Sequence, residues 1–274
     1  MCIFALLALA FDFLAEYVGI ICLGGALFTG VGSYVAGVLS SYYGLSPALT
    51  IPIATLGGAL ISTLILLPCL PLRGIYFAII SLMYPLVLPR IIEALNVFGG
   101  TEGITGLDTF PNIWVDQYLI IAAVLISVFA LRRLVNEDIG LVLHGIKDND
   151  QAVRASGINI TWYKVQAVFI AAAMGCFAGA YLSHLYGWVG TSLFGLDFSI
   201  MPIAAFVLGG PGTLVGPVLG AFILTPLSEM LRAFGALRIV FYALILVGFI
   251  VFRPEGIMNY FQRKYHQFER WIEV

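Results

Sequence analysis

Apolar runs long enough to cross a bilayer follow one another along almost the whole chain, and that succession leaves few folds open. No water reaches the hydrocarbon core, so every backbone N–H and C=O there must be paired within the protein, which only helices and closed barrels achieve. A helix needs about 20 apolar residues for the crossing. Residues 1–18, 20–39, 48–70, 75–92, 117–131 and 165–186 read as such segments. Residues 198–232 are too long for one span and are interrupted by LGGPGTLVGP, so they read as two segments joined at or below the membrane surface; residues 236–252 form the last. The expected fold is all-α: a polytopic helical membrane protein with about eight membrane segments and broken, glycine-rich helices. Composition agrees, at 61% hydrophobic and 10% charged against about 25% charged in a soluble domain.

Several residues sit where apolar spans do not need them. Asp12 and Glu16 lie four apart in the first span and share a helix face. Carboxylates in hydrocarbon are costly and belong in the bundle interior or in water, which makes both candidates for lining a solute path; the plainer reading is a segment near the interface, or one carboxyl protonated. The second segment carries Gly24, Gly25, Gly30, Gly32 and Gly37, which suit either close helix packing or a broken, path-lining helix. Gly24, Gly25 and Thr29, with Gly209 and Gly210 of the interrupted segment, complete the candidate path. Pro85 and Pro89 kink the fourth span, near whose end Arg90 and Glu93 are spaced to pair. Cys2, Cys22, Cys69 and Cys176 have no metal or redox spacing and read as small buried hydrophobes. Residues 94–116 hold GGTEGITGL, a glycine-punctuated loop rather than a strand.

The longest charge-bearing interruption is residues 132–164. Ile139, Val142, Leu143 and Ile146 mark one face of a short helix. Asp148 followed by Gln151 gives a capping-box-like start to a second one, and Gly157 is placed to stop it. Residues 253–274 alternate Met258, Phe261, Tyr265, Phe268 and Ile272 with basic residues, an amphipathic helix for the membrane surface.

Orientation follows from where the cations fall, not from the net charge of -2. With 132–164 in the cytoplasm, Arg73, Arg132, Arg133, Lys147, Arg154, Lys164, Arg253, Arg263, Lys264 and Arg270 all lie inside, ten of 13 basic residues, and 94–116 lies outside with none. No phosphate-binding G-x-x-x-x-G-K-[ST] loop occurs. His144, His184 and His266 are far apart without metal-ligand partners. Neither catalysis, a cofactor nor nucleic-acid binding is expected.

The motifs taken together resemble the membrane-spanning permease subunits of branched-chain amino acid ABC importers, a family that includes urea-type permeases. LRGIYFAIISL, GGTEGITGL, the stretch ending in SGINITWYK, LGGPGTLVGPVLGAF and FRPEGI are similar to family blocks, in the right order and over nearly the whole chain. The resemblance implies residues 1–252 as one permease domain with a coupling segment at 132–164 and a cytoplasmic tail at 253–274, in a bacterial or archaeal inner membrane. It also implies a second homologous permease, two ATPase subunits, an external or periplasmic solute-binding protein, and contact with membrane lipid.

By that resemblance Gln151, Ala152, Arg154, Ala155 and Gly157 form the helix that docks on an ATPase, and Thr101, Glu102 and Thr105 offer a contact loop to the binding protein. The family usually has a further span ahead of the position of Met1, so the start is expected to be shortened or misplaced. It tends to have Asn and Gly at the positions of Asp12 and Glu16, and polar residues at Ile20, Cys22 and Gly25. The contrasting expectation is a self-sufficient secondary transporter or channel, for a solute such as urea, in which Asp12, Glu16 and Glu229 couple to ions. A third is a membrane scaffold that has lost its path.

Overall fold

The computed structural model describes residues 1–72, 74–110 and 112–231, together with 244, 247, 248, 251, 256–260 and 263. The expected last span, 236–252, and the amphipathic tail, 253–274, fall largely outside the described residues. Helices dominate: α1 (Cys2–Asp12), α2 (Gly25–Tyr43), α3 (Pro47–Leu66), α4 (Ile75–Leu95), α5 (Ile113–Asn136), α6 (Asp138–Ala155), α7 (Ile160–Tyr186), α8 (Asp197–Gly209) and α9 (Val215–Met230). Two-residue strands β1 (Ile104–Thr105) and β2 (Trp188–Val189) pair antiparallel. Five helical stretches are long and apolar enough to cross a membrane: Pro47–Cys69, Ile75–Leu95, Trp114–Asn136, Ile160–Tyr186 and Thr191–Gly209. The apolar helices α1, α2 and α9 cover the other expected segments ahead of residue 232.

The core is built where α7 meets α2 and α3, and small residues decide its depth. A Cβ at Gly32 would run into the backbone of Cys176, and one at Gly179 into the carbonyl oxygen of Thr29. Gly58 of α3 closes the crossing, its virtual Cβ 3.0 Å from the Cys176 sulfur. Three backbones thus touch where side chains would hold them apart, which is how membrane helices gain packing energy without a hydrophobic drive. Of the glycines in the second segment, Gly32 belongs to this crossing, while Gly25 abuts the Phe198 carbonyl, Gly30 the Phe194 ring and Gly37 Val189.

Two of the helices, α2 and α8, begin inside the bundle, and their first turns meet. After the π-helical turn Phe13–Val18, residues 19–24 run without helical bonding and α2 starts at Gly25, beside the Phe198 carbonyl of α8. Phe28 packs on Gly175, past the midpoint of α7, so α2 begins about halfway up that helix. Neither N-terminus is capped by its own residues. Instead the Ala26 N–H donates to Ser199 Oγ at 2.9 Å, the Ser199 hydroxyl donates to the Leu23 carbonyl at 2.7 Å, and the Leu23 N–H donates to Ser81 Oγ of α4 at 2.9 Å. In hydrocarbon these groups have no water to turn to, so each break is closed by a neighbour's hydroxyl. α8 and α9, at 13 and 16 residues, are about 20 and 24 Å long, each short of a bilayer core of about 30 Å. They fold back as a hairpin through residues 210–214, in which a Cβ at Gly220 would strike the Ala205 carbonyl.

The structure corrects the sequence reading in four places. GGTEGITGL is not all loop: Ile104 and Thr105 pair with Val189 and Trp188, a partner far along the chain that leaves no local pattern. The second polar helix is capped by Asn149 rather than Asp148. Asn149 breaks α6 with φ −155° and ψ 95°, and its Oδ1 accepts the N–H groups of both Gln151 and Ala152 at 3.1 Å. The buried face of the preceding helix is Gly140, Leu143 and Ile146, while Ile139 faces outward. Finally, α2 runs on to Tyr43, and α5 extends beyond 117–131 at both ends.

Candidate functional site

Residues of functional interest fall at three levels. At one end of the bundle, the part of α6 beyond Asn149 is a short, largely exposed helix. Val153 is half-buried against Gly145, whereas Gln151, Ala152, Arg154, Ala155 and Gly157 are all exposed. The helix ends where expected: Ser156 follows it and Gly157 takes φ +85°, a left-handed backbone that costs glycine nothing. Behind this helix lies a polar cavity of about 310 Å³ whose lining includes Gly19, Gly74, Lys147, Asp150 and Lys164.

One level deeper, the end of α1 and its π-helical turn bind two other parts of the chain. Asp12 is wholly buried. Its carboxylate accepts the Gly212 N–H at 2.8 Å and the Leu214 N–H at 3.2 Å, on either side of the turn into α9. Leu214 has φ +55°, a strained value for a leucine, and caps α9 without a side-chain bond of its own. A negative group at a helix N-terminus is favourable, and here it comes from another helix. The Tyr17 hydroxyl donates to the Gly212 carbonyl at 2.8 Å. Glu16, about a third exposed, instead pairs with Lys147 of α6 at 2.8 Å. The wider π-helical coil carries these side chains to different targets, so Asp12 and Glu16 do not act as one face.

Elsewhere on the surface, Thr101, Glu102 and Thr105 are exposed on the loop that β1 ties to β2. Trp188 Nε1–H donates to the Glu102 carbonyl at 3.2 Å, and His184 Nδ1–H donates to the Asp108 carbonyl at 2.7 Å. The loop is therefore strapped to the top of α7.

The candidate path residues separate into groups. Gly24, Gly25 and Thr29 lie where the first turns of α2 and α8 meet, with the Thr29 hydroxyl 3.1 Å from the Leu193 carbonyl. Asp12, Gly209 and Gly210 are buried at the base of the α8–α9 hairpin, and a Cβ at Gly209 would strike the Gly216 carbonyl. About ten residues of α8, roughly 15 Å, separate the two levels. Sequence reasoning missed Lys147, Tyr17, Asn149, Ser81 and Ser199. The two serines had a legible signal, as hydroxyls inside otherwise apolar helices; Lys147 and Tyr17 had none without their partners. Among the described residues no group of His, Cys, Asp or Glu is placed to hold a metal ion.

Broken helices in an all-α polytopic bundle, with an exposed polar helix on one side and a strapped loop on the other, define a membrane permease. Over residues 1–252 the chain matches the family described as branched-chain amino acid transport system, permease component, and it belongs to that family. It is 27% identical over 287 residues to the high-affinity branched-chain amino acid transport system permease protein LivM of Salmonella typhimurium, covering 93% of this chain and 68% of that protein. The LivM of Escherichia coli matches to the same extent. A probable LivM of Methanocaldococcus jannaschii is 25% identical over 213 residues, covering 72% of this chain and 61% of its own length. No solved structure matches the chain significantly. As a member of this family it is a multi-pass protein of the inner membrane.

Proposed function

We propose that the chain is one permease subunit of an ATP-driven importer of branched-chain amino acids, working beside a second permease, above two ATPase subunits and below a solute-binding protein. The observation that carries this reading is the helix after Asn149, whose small residues Ala152 and Ala155 face solvent with Gln151, Arg154 and Gly157 while Val153 packs against Gly145. Exposed alanines on a rigidly capped helix offer a shallow knob to a groove, and the family match supplies the partner that would present one. Residues 1–252 act as a single permease domain, and Thr101, Glu102 and Thr105 meet the binding protein. Engagement of Asp12 and Glu16 within the chain favours this reading over an ion-coupled one.

Two measurements test it. Gly157→Val forces a β-branched residue into a left-handed backbone at a cost of about 1–3 kcal/mol, which is expected to distort the knob. Leucine uptake by the reconstituted complex should fall about tenfold, while the amount of the chain in the membrane stays the same; unchanged uptake would remove the docking assignment. A cysteine at Arg154 should react with impermeant reagents from the cytoplasmic side only. Labelling from the exterior alone would invert the topology and end the proposal.

A further inference from the structure

Two parts of this permease that have no reason to move together are both fastened to one short stretch, residues 12–17. On one side Glu16 Oε2 meets Lys147 Nζ at 2.8 Å, Tyr17 packs edge-on against His144 with ring centres 5.2 Å apart, and Gly19 lies close enough to Lys147 that a Cβ would sit 3.1 Å from its Cα. His144 and Lys147 belong to the first part of α6, and Asn149, which caps the exposed docking helix, follows two residues later. On the other side Asp12 and Tyr17 hold the Gly212–Leu214 corner by three hydrogen bonds. That corner turns the chain from α8 into α9, and the first turn of α8 in turn closes the break in α2 through Ser199. A displacement of α6 therefore has a bonded route to the middle of the membrane.

We infer that residues 12–17 are a latch. Lys147 and Glu16 position the α8–α9 hairpin, so that motion imposed on the docking helix is delivered to the point where the first turns of α2 and α8 meet. The inference rests on the importer reading given above and adds to it the residues that carry the stroke. With side chains 35% and 31% exposed, the Lys147–Glu16 pair contributes little to stability. Its loss should therefore show in coupling rather than in folding, which separates a latch from a merely structural contact.

The test uses the complete complex in proteoliposomes, with leucine-loaded binding protein outside, and reads uptake and ATP hydrolysis together. Glu16→Lys and Lys147→Glu are each expected to reduce leucine moved per ATP hydrolysed by about tenfold, and the double exchange to restore about half or more of the wild-type ratio, because two residues that act on each other are non-additive. Lys147→Gln, which introduces no repulsion, keeps the latch testable if a reversal fails to accumulate; a loss of about two- to threefold is expected. A normal ratio in Lys147→Gln or in either reversal, or a double exchange no better than the singles, would overturn the latch while leaving the importer intact. Wild-type uptake that continues with the ATPase blocked would instead remove the importer reading, and the latch with it.

Discussion

Gly32→Leu is expected to yield almost no folded protein. The residue lies where α2, α3 and α7 touch, and even a single added carbon meets the Cys176 carbonyl and Cα. Overpacking in a well-packed core costs about 1–3 kcal/mol for modest insertions. Here the obstacle is backbone, which cannot rotate aside, so Gly32→Ala alone should exceed that range and Gly32→Leu should prevent assembly of the crossing. Gly57, one residue from the same crossing on α3, serves as the internal control. Its nearest neighbour to a Cβ is Val35 Cγ1 at 3.9 Å, so Gly57→Ala should be neutral or stabilising by about 0.4–1 kcal/mol. Size-exclusion recovery of detergent-solubilised protein separates the two outcomes, and comparable yields for Gly32→Leu and Gly57→Ala would mean that the crossing is not tight.

Asp12→Ala should be the second most damaging change. It leaves the buried Leu214 N–H without an acceptor, at about 1–3 kcal/mol, and releases the more exposed Gly212 N–H beside a leucine already held in a left-handed backbone. A large drop in thermal stability and loss of uptake are expected together. Asp12→Asn should fall between alanine and wild type, because one amide oxygen remains to accept while the amide N–H₂ opposes the second donor. Equal melting temperatures for Asp12→Ala and wild type would show that the corner holds itself.

What the sequence made legible was whatever had a local signature. Span-length apolar runs gave the helices, LGGPGTLVGP gave the α8–α9 corner, and Gly157 gave the end of the exposed helix after Asn149. The Arg90–Glu93 pair, at 2.9 Å, follows from a three-residue spacing. What stayed hidden depends on partners far away. Asp12 stood out as a costly carboxylate, yet nothing near it in sequence says that its donors are Gly212 and Leu214. The pairing of Ile104 with Val189 is equally silent. The shift of the cap from Asp148 to Asn149 has a different cause: both residues satisfy a capping pattern, and the choice depends on how far the preceding helix is carried by the burial of Leu143 and Ile146.

The borrowed caps also set an order of events at the ribosome. Ala26 waits for a hydroxyl 173 positions later, and the carboxylate of Asp12 waits for a donor 202 positions later. The earliest helices thus enter the bilayer with polar ends still open, and they are completed only once the closing hairpin has been translated. A chain stalled before Ser199 would be left unfinished at its beginning, and quality-control proteases would find their first grip there.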